Sequence, residues 1–223
     1  MDELVTLAAT AEVALRRRGD VHELIVNGVF AMDSLDSSSE LALADAAGSP
    51  PGKVLVGGLG LGFTAQRLLA NGATSLDVVE LAEPLIAWAR AGLTAELAEV
   101  AADPRVRLHH GDIVEWLGRA EGTWDAILLD VDNGPTFLIH DLNARVYARE
   151  FLLAAVQRLT PGGHLVIWCE SASPELAATL GTLGSLREDV ISVTRGRRVF
   201  DYVLYSCRPA ASAAECTGSG GVA

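Results

Sequence analysis

The sequence predicts an α/β protein: a seven-stranded, mostly parallel sheet that ends in an antiparallel hairpin, with a short N-terminal helix and a β-hairpin in front of it. Three observations carry that expectation. From residue 53 onward, short continuous apolar runs alternate with helix-length stretches, the pattern of strands covered on both faces. The first of these runs opens into the glycine-rich segment Gly57-Gly58-Leu59-Gly60-Leu61-Gly62. The last two runs are joined only by Thr194 to Arg198, too short for the crossover that parallel neighbours require, so they pair antiparallel.

Taken in order, Leu4, Leu7, Ala8, Ala11 and Leu15 have helical spacing, and the run Arg16 to Arg18 suits a helix C-terminus, which predicts a helix over residues 3–18. The stretches His22 to Val26 and Val29 to Met32 flank Asn27-Gly28, the dipeptide that best tolerates a type I′ turn, and read as a hairpin. Ser37, Ser38 or Ser39 caps a helix through Glu40 to Ala47, and Gly48-Ser49-Pro50-Pro51-Gly52 breaks the chain. Residues 1–50 are therefore read as an N-terminal extension and 51–208 as the main domain, while the small, polar segment 209–223 reads as a disordered tail. The predicted strands are Lys53 to Gly57, Ser75 to Glu80, Val106 to His109, Trp124 to Asp130, His164 to Cys169, Asp189 to Val193 and Val199 to Ser206. Leu159-Thr160-Pro161-Gly162-Gly163 reads as a helix stop and turn before the fifth of them.

Composition narrows the partners. With 223 residues, 50% hydrophobic and 21% charged, the chain has the core of one ordinary domain and not the make-up of a disordered one. Seventeen basic against 29 acidic residues give a net charge of -12, which repels nucleic-acid phosphates and anionic lipid and favours a small, cationic partner. No apolar run approaches the ~20 residues of a membrane span, and acids precede the N-terminal apolar stretch, so a cytoplasmic protein is expected. Cys169, Cys207 and Cys216 form no C-x-x-C pair, and His109 and His110 are adjacent on a strand, so neither a disulfide framework nor a metal site is expected.

The glycine turn is the strongest local signal, because glycines let backbone approach a ligand closely. A dinucleotide fingerprint would need a third glycine at Phe63 and fails there. Glu80 closes the second strand, where a carboxylate can accept two ribose hydroxyls, and Asp112 follows the third, where it can accept from a base amino group. Either acid alone could be a helix cap. Together with the turn and the end of strand four they converge on one crevice at the carboxyl ends of the strands. Strand four ends in Asp130-Val131-Asp132-Asn133-Gly134-Pro135; Asp130 is the first candidate to orient an amine and accept its proton, and Asp132 the second, although Asp132 to Pro135 also reads as an Asx-rich turn. His140 and Tyr147 follow the strand-four loop and read first as an exposed loop histidine and a helix tyrosine packed on the sheet, with lining of an acceptor pocket as the alternative. Trp168 lies near the crevice, and Cys169, without a histidine partner, reads as a buried small hydrophobe.

The strings Gly57 to Thr64 (GGLGLGFT), Leu128 to Pro135 (LLDVDNGP) and Asn143 to Tyr147 (NARVY) resemble the spermidine synthase-like branch of the class I S-adenosylmethionine-dependent transferases, over about residues 22 to 207. The resemblance implies a Rossmann-like domain that binds S-adenosylmethionine or its decarboxylated form. It further implies that Gly58, Gly60 and Gly62 wrap the methionine part, Glu80 the ribose and Asp112 the adenine, with Asp130 facing the reacting amine. Aminopropyltransferases of that branch carry an aspartate where this chain has Leu61 and a hairpin glutamine where it has Ala31. Those departures make methyl transfer to a small-molecule amine the first expectation, with aminopropyl transfer and non-catalytic cofactor binding as alternatives. The N-terminal extension is expected to cover the crevice or form a homodimer contact.

Overall fold

Alternation, not helical periodicity, governs the start of the chain. In a computed structural model, which describes residues 3–131, 133–136, 138–195 and 198–210, the predicted N-terminal helix is replaced by two strands. These are β1 (Leu4–Ala9) and β2 (Val13–Arg18), followed by the expected hairpin of β3 (Val21–Val26) and β4 (Val29–Asp33), in one antiparallel sheet of order β1-β2-β3-β4. Val13 and Leu15 are fully buried while the intervening Ala14 and Arg16 are not, a period of two. The residues that suggested one face of a helix fit a strand equally well, and packing of Val13 and Leu15 beside Leu24 decides between them. The Thr10 hydroxyl accepts the amides of Glu12 and Val13 at 3.2 and 3.1 Å to hold the β1–β2 turn, and Arg16 donates to Glu23 at 2.9 Å across β2 and β3. At the β3–β4 turn Asn27 and Gly28 have φ of 50° and 77°, as a type I′ turn needs.

Helix α1 (Ser38–Asp45) follows, capped differently from expectation: Asp36 accepts from the Ser38 amide at 3.0 Å, and Ser37 makes no side-chain cap. The main sheet then runs through β5 (Lys53–Gly57), α2 (Phe63–Ala70), β6 (Ser75–Glu80), α3 (Glu83–Ala91), α4 (Ala95–Ala102), β7 (Val106–His110), α5 (Ile113–Arg119) and β8 (Trp124–Leu129). A 3₁₀ turn (Asp141–Tyr147), α6 (Arg149–Gln157), β9 (Leu159–Cys169), α7 (Pro174–Gly181), β10 (Gly184–Arg195) and β11 (Arg198–Pro209) complete it. Strand order is β10-β11-β9-β8-β5-β6-β7; the five strands from β9 to β7 are parallel, and β11 is antiparallel to both β9 and β10. The chain thus crosses to the edge at β10 and returns beside β9. The predicted turn at Thr160 to Gly163 lies inside β9 as an irregularity, because pairing with β8 jumps from Trp124–Leu159 to Ala126–His164. Strand β11 extends to Pro209, into the predicted tail; residues 211–223, Cys216 among them, lie outside the described residues.

Two apolar layers sandwich the sheet. One contains Trp124, Phe151, Leu152 and Tyr205. The other joins Val54, Val56 and Leu128 to Val13, Leu15, Leu24 and Leu43, so the N-terminal sheet shares the core of the main sheet. Asp77, buried in β6, accepts from Arg107 at 2.8 and 3.1 Å and from the Trp124 indole at 3.0 Å, with the His109 ring also at 3.0 Å. Burial pushes its carboxyl up, but hydrogen bonds from Arg107, Trp124 and His109 outweigh that and hold it down at about 2. Cys169 and Cys207 are buried thiols, and desolvation pushes Cys169 up to about 12, in keeping with a space-filling role. Among the described residues no helix is long and apolar enough to cross a membrane.

Candidate active site

The carboxyl ends of β5, β6 and β8 open into a cleft of about 330 Å³. Its floor is the glycine turn. Gly58 has φ of 98°, and a Cβ there would lie 2.0 Å from the Asp130 carbonyl oxygen, so the turn can sit against the end of β8 only without a side chain. Gly58 and Gly60 line the cleft, whereas Gly62, at the N-cap of α2, faces away toward Glu96 and Leu97 of α4.

The acids take distinct positions around that floor. Glu80, at the end of β6, accepts the Leu59 amide at 2.8 Å and the Ala82 amide at 2.7 Å, which fixes its carboxylate beside the turn. Its carboxyl is pushed above the ordinary range by burial, against the opposing pull of the Ala82, Leu59 and Leu81 amides. Asp112 lines the cleft and caps α5, accepting the amides of Val114 at 2.8 Å and Glu115 at 3.3 Å, with Arg145 at 2.6 Å from its other oxygen. Asp112 thus caps a helix and faces the cleft from one position. Asp130 follows β8 and takes a hydrogen bond from the Thr64 hydroxyl at 3.3 Å. Burial and then the negative charge of Glu40, with a smaller contribution from Glu80, push its carboxyl up to about 7, with Thr64 opposing. Asp132, the second candidate, lies outside the described residues.

The other wall comes from the N-terminal elements. Phe30, Ala31 and Met32 of β4, Leu24 and Val26 of β3, Val13 of β2, and Ser39 and Glu40 of α1 all line it. The expectation that the N-terminal extension covers the crevice is met. Glu40 is buried, and the Ser39 hydroxyl donates to it at 2.6 Å. An acid at an inward position of a short helix was the available signal for Glu40. For Met32 the sequence offered none. At the hairpin tip, Asn27 lies 3.2 Å from the His140 ring and within 3.5 Å of the Ile139 carbonyl, so β3–β4 reaches the loop after β8. His140 itself lines the cleft, and the buried Asn143 amide donates to the Val131 carbonyl at 3.2 Å to hold that loop. Trp168, Phe200 and Tyr202 form an aromatic side, with the Trp168 and Tyr202 rings 5.0 Å apart. Tyr147 is absent from the lining, and Leu61, the position at which the resemblance leads one to expect an acid, is buried behind the turn.

The sheet order and the antiparallel terminal hairpin make the fold Rossmann-like. The methyltransferase small domain family matches residues 21–192. The chain belongs to that family, within the spermidine synthase-like branch of the class I S-adenosylmethionine-dependent transferases. A polyamine aminopropyltransferase of Mycobacterium tuberculosis (strain CDC 1551 / Oshkosh) is 28% identical over 193 residues, covering 84% of this chain and 36% of the relative. One from Nitrosomonas europaea is 32% identical over 154 residues, covering 66% of this chain and 44% of the relative. The chain therefore spans between about a third and under half of the length of these curated relatives. A crystal structure of spermidine synthase in complex with the transition state analogue AdoDATO superposes with a TM-score of 0.74 at 18% identity, over 89% of this chain and 71% of that one.

Proposed function

We propose that this chain transfers an aminopropyl group from decarboxylated S-adenosylmethionine to a small cationic amine. The observation that carries the reading is the charge of the cleft: Glu40, Glu80, Asp112, Asp130 and Glu170 line it, and no lysine or arginine does among the described lining residues. A cofactor tail bearing a carboxylate would enter that cleft without a basic partner, while an ammonium tail and an ammonium acceptor find acids on several sides. The relatives named as polyamine aminopropyltransferases support the same direction. It departs from methyl transfer, which Leu61 and Ala31 suggested, because Glu40 on α1 puts a carboxylate in the cleft where the glycine turn lacks one.

Each residue then has a defined task. Gly58 and Gly60 allow the nucleoside tail to lie against backbone, Glu80 accepts from ribose hydroxyls, and Asp112 keeps acceptor capacity for an adenine amino group beyond the bonds it makes to α5. A bound sulfonium supplies the electrophilic carbon together with its leaving group. Asp130, with its carboxyl at about 7, is matched to take a proton from an incoming ammonium near neutral pH. The β3–β4 hairpin, fastened to the Ile139–His140 loop, excludes water over the reacting atoms. A perturbed acid at the reacting end favours turnover over the non-catalytic alternative.

Methyl transfer remains a second reading, favoured by Leu61 and by the description of the matching family. The two separate in one experiment: the protein is incubated with each cofactor and a panel of diamines and monoamines, and the nucleoside product is identified. Methylthioadenosine from the decarboxylated cofactor is expected. S-adenosylhomocysteine from the intact cofactor would establish methyl transfer instead, and neither product with any acceptor would leave only cofactor binding.

A further inference from the structure

The N-terminal sheet presses one side chain directly onto the glycine turn. Met32 of β4 places its Sδ 3.3 Å from the Leu61 nitrogen, accepting that N–H, and a Cβ built on Gly60 would lie 2.8 Å from the same sulfur. The neighbouring amides are engaged as well: Gly58 donates to the Val79 carbonyl at 2.8 Å, Leu59 to Glu80 at 2.8 Å and Gly62 to the Leu59 carbonyl at 3.0 Å. In a cleft whose described lining has no lysine or arginine, backbone N–H groups of the turn are what an incoming carboxylate would need. A thioether is a weak acceptor and gives that amide far less than a carboxylate would. Its position therefore spends a donor, and the space above Gly60, on an uncharged group.

We propose that Met32 is a specificity-determining residue: by covering the Leu61 amide and the face of Gly60, it makes the cleft reject nucleosides whose tail carries an α-carboxylate and accept those that lack it. This rests on the reading above, in which the glycine turn receives the tail of a sulfonium nucleoside. Neighbouring residues act in the same direction. Glu40 and Asp130 repel a carboxylate electrostatically, but they would also do so without Met32; what the methionine adds is cover over the Leu61 amide and the face of Gly60.

Titration calorimetry with two stable nucleosides tests it: S-adenosylhomocysteine, whose tail carries both amine and carboxylate, and methylthioadenosine, which has neither. Wild-type protein is expected to bind methylthioadenosine about tenfold more tightly or better, and Met32→Ala to narrow that ratio by about tenfold, the value of one charge-assisted hydrogen bond. Met32→Leu, which keeps the bulk over Gly60, is expected to hold the wild-type ratio within about twofold, on the scale of a volume-conserving swap. Because the readout is a ratio within each variant, partial loss of folded protein does not imitate the effect. Equal affinities in the wild type, or an unchanged ratio in Met32→Ala, would overturn the role of Met32 while leaving the cleft a nucleoside site. Absence of binding by both nucleosides would overturn the cleft assignment along with it.

Discussion

On the floor of the cleft, Glu80, Asp112 and Asp130 stand at or just beyond the carboxyl ends of three parallel strands; on its wall, Phe30, Met32 and Glu40 arrive from a small antiparallel sheet and one short helix. The floor is held by backbone. Glu80 takes two amides, Asp112 caps a helix, and Gly58 touches the carbonyl of Asp130. The wall is held by side-chain packing of Val13, Leu15 and Leu24 on the main sheet and by the contact of Asn27 with the Ile139–His140 loop. In the proposed reading the contrast is a division of labour: the floor fixes where the nucleoside and the base stand, and the wall chooses what may enter.

Substitutions can break that division, and the largest effect belongs to the floor. Asp130→Asn should lower turnover on the order of a hundredfold to ten-thousandfold, the usual reach of a general base, while nucleoside affinity measured by calorimetry stays near wild type. Unchanged turnover would remove Asp130 from the chemistry. The same variant has a stability signature. Asp130 shifts from an ordinary 3.8 to about 7 on folding, so the folded state binds the extra proton and wild-type stability falls as pH rises through that window. Urea unfolding of Asp130→Asn should lack that component of the decline.

Next in size, Glu80→Ala should weaken nucleoside binding by about 1 to 3 kcal/mol, the effect of lost hydrogen bonds in a buried site, with the acceptor KM little altered. An acceptor KM that rose more than the nucleoside Kd would place Glu80 on the wrong side of the division.

The wall is expected to respond more gently. Glu40→Gln removes a negative charge beside Asp130, so the acid limb of the kcat/KM profile should move to lower pH, and the acceptor KM should rise about tenfold or more, the value of one charge-assisted hydrogen bond. A limb that stays in place would separate Glu40 from Asp130. Asn27→Ala, which frees the hairpin tip from the loop after β8, should change KM by about threefold at most, as expected for one exposed hydrogen bond.

The same contrast explains what could be read from the sequence. Strands β5, β6 and β8 announce themselves as continuous apolar runs because both of their faces are covered, and each ends in a turn or an acid that marks the crevice. Residues 3–18 gave the opposite result. Short half-buried strands with alanines at several positions satisfy a period of two and a period near four equally, and only the tertiary partners Leu24 and Leu43 select between them. Met32 could not be found for a related reason: its place depends on how the small sheet docks, which neither spacing nor composition encodes. Leu61 shows the converse. The resemblance singled it out as a departure, yet its side chain lies behind the turn, so a missing acid there alone says little about the charge of the cleft.

The contact between Gly58 and the carbonyl of Asp130 constrains how this scaffold can change. Any β-carbon at residue 58 would displace the tip of the neighbouring strand, and Asp130 would travel with it. Glycine turn and strand tip are therefore one mechanical unit, whereas the antiparallel flap opposite presents side chains to the cleft that can be exchanged without moving either.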